Sequence, residues 1–168
     1  DLVNQSIFYY KSSRIENADN NENINLQDLI SNVVRRNSDV LISNKIAVGI
    51  KELNHTVTTN VEWVEFVINE IIKNSIKFRS DKPCIKFFAQ DIGDAISLFI
   101  EDNGIGIDSE DVPLVFEKDF VGKNVKKYTG SSGIGLYLCK KLCNKLWLKI
   151  SISLDEETIV EIIFLIRE

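Results

Sequence analysis

The stretch NEIIKNSIKF, residues 69–78, carries a polar stripe along a predicted helix. Glu70, Asn74 and Lys77 recur at i, i+4 and i+7, so their side chains share one line on the helix surface. A carboxylate, an amide and an ammonium in one line can hold a hydrated Mg²⁺ beside a polyphosphate, because magnesium takes oxygen ligands and keeps several of its waters. Taken alone, however, the stripe is better explained as an ordinary solvated face of the helix.

The segment DNGIGI, residues 102–107, follows an apolar stretch that predicts a strand. Asp102, at the end of that strand, can accept a hydrogen bond from an exocyclic amine such as that of adenine. Gly104 and Gly106 let the backbone approach a flat ligand closely, because glycine has no side chain. A tight turn capped by an aspartate would have the same sequence, so this segment alone leaves both interpretations open.

A third segment, GSSGIGL, residues 130–136, opens another predicted helix. The unpaired N–H groups at a helix start attract phosphate, Gly133 and Gly135 permit close approach, and Ser131 or Ser132 is placed to cap the helix or touch a phosphate. The sequence has no Gly-x-x-x-x-Gly-Lys-Ser/Thr pattern, which excludes a P-loop. A dinucleotide-binding fingerprint would follow a strand directly, whereas a polar irregular loop precedes this segment.

Helices and mainly antiparallel strands alternate around these motifs. Predicted helices cover residues 26–37, 61–78, 109–117 and 132–146, and predicted strands cover residues 45–52, 85–89, 95–101, 148–154 and 158–167. Asn25 is expected to cap the first helix, either Thr59 or Asn60 the second, and residues 54–60 are expected to form a turn. This order predicts an α/β (α+β) two-layer sandwich, with helices on one face of a mixed, mainly antiparallel sheet.

Composition places the chain among soluble globular domains. Its 168 residues are 44% hydrophobic and 27% charged, and the net charge of -5 argues against a nucleic-acid partner. Cys84, Cys139 and Cys143 are odd in number and lack metal-binding spacing, so we expect buried, reduced thiols and a reducing compartment. No signal peptide or membrane span is visible, and because the sequence contains no methionine we expect a fragment of a longer protein.

In combination, the motifs resemble the ATPase superfamily of gyrases, mismatch-repair proteins, certain chaperones and histidine kinases. Histidine kinases are the closest match, because residues 69–78 resemble their N box, residues 102–107 their G1 box, residues 115–120 their F box and residues 130–138 their G2 box. Two further runs, VFEKDFVG and LYLCKKLC, are similar to the small intramembrane-sensing kinases of Gram-positive bacteria. The resemblance covers nearly everything after Leu26 and implies a Bergerat-type ATP-binding fold.

The resemblance also implies residue roles in binding ATP and Mg²⁺. Asn74 would ligate the metal through its side-chain oxygen, Lys77 would neutralise phosphate charge, and Asp102 would recognise the adenine amine. Glycines of the G1 and G2 boxes would let the chain pass the base and the phosphates. The implied nucleotide-binding set is Asn74, Lys77, Phe78, Asp102, Gly104, Gly106, Ile107, Phe116, Phe120, Ser132, Gly133, Gly135 and Leu136. For Ile107 and Leu136, ordinary core packing is an equally good explanation.

Residues 108–132 would form a lid over the nucleotide, since the segment is long, polar and dotted with glycine. Phe116 and Phe120 would anchor this lid to the domain or to phosphoacceptor helices. The lid lysines are Lys123, Lys126 and Lys127, one of which would contact the γ-phosphate, although for any single lysine simple solvation is the better explanation.

Glu70 has several candidate roles. In the gyrase-like relatives a glutamate one turn before the magnesium asparagine activates water, whereas many histidine kinases carry an amide there. Glu70 is therefore a candidate catalytic base toward water or toward a histidine on another segment. Orienting a magnesium-bound water, or pairing with Lys73 or Lys77, are the alternatives.

The expected phosphoacceptor histidine is not identifiable in this sequence. His55, the one histidine, lies in the polar segment LNHTV without a following acidic residue, and we expect a surface loop there. The acceptor would lie upstream, so residues 1–25 are expected to be the end of a dimerisation helix plus a linker, and residues 26–168 the catalytic and ATP-binding domain. The partners implied are the protein's own dimerisation and phosphoacceptor helices, a response regulator and a membrane transporter.

The resemblance further implies a cytoplasmic domain of a bacterial membrane protein that is homodimeric at full length, with this fragment monomeric. Two alternatives remain at this point. A non-kinase ATPase of the same superfamily is favoured by Glu70 but opposed by the F box. A catalytically inactive nucleotide-binding regulator is opposed by the intact asparagine, aspartate and glycines of the motifs.

Overall fold

The computed structural model describes residues 20–123 and 132–166 of the chain. The strands are β1 (Glu22–Asn25), β2 (Ala47–Lys51), β3 (Thr56–Thr59), β4 (Cys84–Asp91), β5 (Ala95–Asp102), β6 (Lys149–Leu154) and β7 (Thr158–Leu165). The α-helices are α1 (Leu26–Arg36), α2 (Ser38–Ser43), α3 (Val61–Lys77) and α4 (Gly135–Lys145), and a 3-10 helix covers Val112–Leu114.

Five of these strands form one sheet in the order β2-β4-β5-β7-β6. The β2–β4 pair is parallel, and the other three pairs are antiparallel. The register places Asp102, the last residue of β5, opposite Thr158, the first residue of β7. Strands β1 and β3 form a separate antiparallel pair.

The hydrophobic core lies between the helices and one face of the large sheet. On β5, the buried residues Ile96, Leu98 and Ile100 belong to the same core as Ile68 of α3 and Leu142 of α4. Alternate residues of the strands point to the opposite face, which carries ion pairs between strands. The predicted two-layer α/β sandwich with a mixed, mainly antiparallel sheet is therefore confirmed.

Helix α3, which bears the polar stripe, is fixed at its N-terminus by Asn60. The Asn60 side chain accepts a hydrogen bond from the backbone N–H of Trp63 at 3.1 Å, so Asn60 rather than Thr59 is the cap. One face of the helix is buried from Trp63 to Ile72, and α3 packs against α4. Asn25 caps α1 in the predicted way, accepting from the N–H of Gln27 at 2.8 Å.

Several local predictions were wrong. Residues 22–25, expected to end a linker, form β1, and residues 56–59, expected to be a turn, form its partner β3. The helix expected over residues 109–117 is only the three-residue 3-10 helix. Helix α4 begins at Gly135 instead of residue 132, because Gly133 has a φ of +67° that no right-handed helix accommodates. The predicted dimerisation helix end, residues 1–11, lies outside the described residues.

The buried thiols agree with expectation in two of three cases. Cys139 and Cys143 are buried in α4, and burial raises the pKa of Cys139 strongly and that of Cys143 to about 12. Cys84 is half-buried at the start of β4. His55 is half-buried just before β3, where its Nδ1 atom makes no hydrogen bond to a described residue. Within residues 20–123 and 132–166, no helix is long and apolar enough to cross a membrane.

Candidate functional site

A cavity of about 250 Å³ lies where α3, the end of β5, the start of α4 and the start of β7 meet. Its wall is mostly apolar on the sheet side and carries charged residues along α3. The lining residues are Glu70, Ile71, Lys73, Asn74, Lys77, Phe78, Asp102, Gly106, Ile107, Asp108, Asp111, Val115, Phe120, Val121, Gly122, Ser132, Gly133, Gly135, Leu136, Ile152, Thr158 and Val160. The cavity thus combines an apolar compartment with a polar one.

Asp102 is the carboxylate of the apolar compartment, and its position is fixed from two sides. Its Oδ1 atom accepts a hydrogen bond from the backbone N–H of Gly104 at 2.9 Å, and its Oδ2 atom accepts one from the Ser75 hydroxyl, also at 2.9 Å. Burial raises the pKa of Asp102, while these two hydrogen bonds act in the opposite direction. A carboxylate held in this way can receive a further donor from a ligand without moving.

The two positions in the G1 turn require glycine for different structural reasons. A Cβ atom at Gly104 would lie 2.6 Å from the carbonyl oxygen of Phe78 and 2.8 Å from Asp102 Oδ1. That carbonyl ends α3 and accepts a hydrogen bond from the N–H of Ile105 at 2.8 Å. Gly106 has open space around it but a φ of +73°, which favours glycine. Gly104 therefore lets the turn approach α3. It was expected to contact the nucleotide, but it does not line the cavity.

The polar compartment is built from one face of α3. Glu70 is buried, and its Oε1 atom accepts a hydrogen bond from Lys73 Nζ at 2.8 Å. Asn74 is half-buried one turn after Glu70 and also lines the cavity. Lys77 lies with Nζ 5.5 Å from the centre of the Phe78 ring, and desolvation by burial lowers the pKa of Lys77. The Lys77 ammonium and the Asn74 amide form a suitable environment for phosphate oxygens, whereas the Lys73 ammonium is directed at Glu70.

The start of α4 faces this compartment from the other side. The first turn of the helix presents N–H groups that lack partners within the helix, which is the usual arrangement for binding an anion. The Ser132 hydroxyl lies 3.4 Å from the N–H of Ile134 and does not cap the helix. A Cβ atom at Gly133 would lie 2.5 Å from the carbonyl carbon of Asp119 and 2.7 Å from the Phe120 oxygen. The absence of a side chain at Gly133 therefore makes room for the F box. From sequence, Gly133 was expected to make room only for phosphate.

A buried aspartate joins two parts of the loop predicted to be the lid. Asp111 is 4% exposed, and its Oδ2 atom accepts a hydrogen bond from the backbone N–H of Lys123 at 2.7 Å. The Lys123 side chain forms an ion pair with Glu110. The ring of Phe120 lines the cavity within this loop. The lid lysines Lys126 and Lys127 lie outside the described residues.

The structure brings together most residues that the sequence singled out. Those that line the cavity are Glu70, Asn74, Lys77, Phe78, Asp102, Gly106, Ile107, Phe120, Ser132, Gly133, Gly135 and Leu136. Phe116, placed in the nucleotide-binding set from sequence, does not line it. Its ring packs against the core with Lys140 Nζ 5.5 Å above it, so it anchors the lid to the domain.

Part of the cavity wall was missed from sequence. Thr158 and Val160 enter through the register of β7 beside β5, and sequence alone carries no signal for that register. Lys73 was named from sequence only as a candidate partner of Glu70, and the ion pair between the two is present. In the described part of the chain, no cluster of three or more His, Cys, Asp or Glu side chains could hold a metal ion.

Comparisons with known proteins agree with this geometry. Residues 59–168 match the family model described as "Histidine kinase-, DNA gyrase B-, and HSP90-like ATPase". The chain is 29% identical over 152 residues to sensor histidine kinase YxdK of Bacillus subtilis, covering 87% of this chain and 46% of YxdK. It is 30% identical over 152 residues to sensor protein BceS of the same organism, covering 90% of this chain and 45% of BceS. The chain thus spans about half the length of these curated relatives.

A solved structure shares the fold. The histidine kinase ThkA, crystallised in complex with response regulator protein TrrA, superimposes with a TM-score of 0.75 at 16% sequence identity. The match covers 99% of this chain and 48% of that chain.

Proposed function

Because the chain belongs to the family of histidine kinase-, DNA gyrase B- and HSP90-like ATPases, we propose that it is the ATP-binding catalytic domain of a two-component sensor histidine kinase. In this proposal the domain transfers the γ-phosphoryl group of ATP to a histidine on another segment. One observation carries the proposal. A single cavity joins a buried carboxylate at the end of β5, an asparagine and lysines on α3, and the glycine-rich start of α4.

The apolar compartment is proposed to bind adenine. The Asp102 carboxylate lines the cavity and accepts hydrogen bonds from the Gly104 N–H and the Ser75 hydroxyl, which fix its position. An adenine ring between Ile107 and Leu136 would present its exocyclic amine to that carboxylate. A hydrogen bond to a charged acceptor contributes about 1.5–3 kcal/mol, which is enough to select adenine over a base with a carbonyl at that position.

The polar compartment is proposed to hold the triphosphate. Lys77 and the N-terminus of α4 supply positive charge and N–H donors, and the amide oxygen of Asn74 is a suitable ligand for Mg²⁺. A bound Mg²⁺ supplies neutralisation of phosphate charge. The donor set fits this ion, since magnesium uses few protein ligands and takes the rest from phosphate and water.

The domain's own contribution to the reaction is then positioning and charge. A nitrogen of the acceptor histidine forms a bond to the γ-phosphorus, and the bond to the bridging oxygen breaks with its electron pair remaining on ADP. Lys77 balances the negative charge, and Asp102 fixes the far end of the nucleotide. Phosphoryl transfer needs mainly such alignment and electrostatic stabilisation, so a domain without covalent catalytic groups suffices.

The partners follow from the same proposal. ThkA was crystallised with a response regulator protein, which supports a response regulator as the downstream partner of this chain. Residues 1–25 are proposed to connect the domain, residues 26–168, to dimerisation helices that carry the acceptor histidine. We further propose that this domain is the cytoplasmic part of a bacterial membrane sensor that is homodimeric at full length and has a membrane transporter as an additional partner. The similarity to sensor histidine kinase YxdK and sensor protein BceS supports the sensor kinase part of this proposal.

A second candidate, an ATP-hydrolysing protein that is not a kinase, is favoured by one observation. Glu70 is a carboxylate that lines the polar compartment next to Asn74. The ion pair between Glu70 and Lys73 weighs against it, because a carboxylate engaged by an ammonium is a poor base toward water.

Calorimetric titration with a non-hydrolysable ATP analogue tests the proposed function. We expect magnesium-dependent binding by the unaltered chain and a loss of about 10–100-fold in affinity for Asp102→Asn, because the amide cannot replace the charged acceptor. Asp91→Asn is the matched control, since Asp91 accepts from Gly93 N–H in the same turn geometry far from the cavity. Absence of binding by the unaltered chain would contradict the proposed function.

A further inference from the structure

Glu70 and Lys73 form an ion pair in the wall of the polar compartment. Lys73 Nζ donates to Glu70 Oε1 at 2.8 Å, with the Glu70 side chain 5% exposed and the Lys73 side chain 42% exposed. The pair therefore consists of a desolvated carboxylate and an ammonium that reaches it from the solvent side. Both residues line the cavity together with Asn74.

A carboxylate at this position has the chemistry to hydrolyse the nucleotide proposed to bind here. A water oxygen would form a bond to the γ-phosphorus while the bond from phosphorus to the bridging oxygen breaks, leaving its electron pair on ADP. The water proton would pass to a Glu70 oxygen, and inorganic phosphate would leave. This reaction consumes ATP without phosphorylating a histidine.

From this geometry we infer that Lys73 is a positioning residue that holds the Glu70 carboxylate in an ion pair and thereby suppresses hydrolysis of bound ATP. The inference rests on the proposed function of the cavity. Receiving a proton would cost Glu70 its ion pair with Lys73, and one of the two carboxylate oxygens is already occupied by the ammonium. The γ-phosphoryl group is thus retained for an acceptor histidine.

The inference gives Lys73 a role different from that of Lys77 on the same helix. Lys77 approaches Phe78 and provides charge for phosphate. Lys73 is directed at Glu70, one turn earlier, and its ammonium neutralises a protein carboxylate. The sequence KNSIK therefore contains two lysines with opposite effects on ATP turnover when they are removed.

The test is ATP hydrolysis by the chain after Lys73→Met. Methionine keeps the length and the apolar part of the Lys73 side chain, which is 42% exposed. We expect hydrolysis to rise by about tenfold or more once the ion pair with Lys73 is removed, because a general base contributes about 10²–10⁴-fold. The double variant Glu70→Gln with Lys73→Met should return to the rate of the unaltered chain, and Lys73→Arg should keep that rate.

Lys86→Met is the matched control. Lys86 also forms a Lys–Glu pair, with Nζ 2.6 Å from Glu101 Oε1, but on the sheet face away from the cavity. Its hydrolysis rate should not change. The affinity for the non-hydrolysable analogue, measured by calorimetry, should be retained by Lys73→Met.

A second readout needs no nucleotide. Thermal unfolding of the two single variants and the double variant forms a mutant cycle for Glu70 and Lys73. We expect the effects to be non-additive, with Lys73→Met less harmful when Glu70 is already glutamine, since glutamine carries no charge for Lys73 to balance. Additive effects would overturn the inference, because the pair would then not exist in solution.

The remaining outcomes separate the inference from the proposed function. No analogue binding by the unaltered chain would overturn both. Binding with no rise in hydrolysis for Lys73→Met would overturn only the inference. Loss of analogue binding in Lys73→Met would make Lys73 a phosphate ligand. Rapid ATP hydrolysis by the double variant would assign water activation to a group other than Glu70. Either result overturns the inference.

Discussion

At the scale of single residues, Asp102 shows a conflict between stability and ligand recognition. Burial raises the pKa of this carboxyl group above its ordinary value near 3.8, even though Gly104 and Ser75 donate hydrogen bonds to it. A carboxyl whose pKa is raised by folding stabilises the folded state fully below its unfolded pKa, and that contribution is lost as the pH rises through the folded value. At neutral pH the charged form therefore weakens the domain that needs it.

We accordingly expect Asp102→Asn to gain stability relative to the unaltered chain as the pH rises. The amide carries no charge at any pH, so the difference in Tm between variant and unaltered chain should grow as the pH rises above the ordinary value near 3.8 and level off once the pH has passed the raised pKa of Asp102. Thermal unfolding without nucleotide at several pH values measures it. Asp91→Asn, in the same turn geometry at the exposed surface, is the control for the substitution itself. A constant difference for Asp102→Asn would contradict the expected effect of burial.

At the scale of elements, the contact between the F box and the start of α4 decides the shape of the polar compartment. We expect Gly133→Ala to lower stability by about 1–3 kcal/mol through its positive φ and to weaken analogue binding, since a Cβ 2.5 Å from Asp119 would push Phe120 out of the cavity wall. Gly93→Ala is the control, because Gly93 has a φ of +94° but nothing within 4 Å of an added Cβ. Chemical unfolding and calorimetry measure the two effects, and equal loss of analogue affinity in both variants would contradict this explanation.

The elements also differ in how far sequence could predict them. Helix α3 was predictable to within one residue because its apolar periodicity and its asparagine cap are local features. Strands β1 and β3 were not, because ENIN and TVTT are short, polar and stable only as partners of each other. The start of α4 was placed three residues early, because Gly133 adopts a positive φ that the sequence pattern does not reveal.

The same limit applies to the candidate site. Motif residues on α3 and the G1 turn were found because each motif is contiguous in sequence. Phe116 and Gly104 were included in the nucleotide-binding set although neither lines the cavity. A sequence motif does not reveal which way a side chain points or what lies beside a glycine. Thr158 was missed because it joins the site only through the register with Asp102, which is a property of the assembled sheet.

At the scale of the whole molecule, stability depends on the central strands. Leu98 in β5 is fully buried, and we expect Leu98→Ala to lower the free energy of unfolding by about 2–5 kcal/mol through lost burial and a residual cavity. Leu165→Ala, in the neighbouring strand β7 with 44% of the residue exposed, should cost far less. Denaturant titration compares them, and similar losses would mean that the core does not lie on the helix-covered face of the sheet.

Strand β7 lies between β5 and β6 in the sheet, yet it follows both of them in the chain. During synthesis on the ribosome, β6 therefore emerges without a neighbour, and β5 exposes one edge until residue 165 has left the exit tunnel. A nascent chain that ends at Leu154 also lacks Thr158 and Val160 from the cavity wall. The cavity wall is consequently complete only after β7 has been synthesised, and an unpaired strand edge is available to chaperones until then.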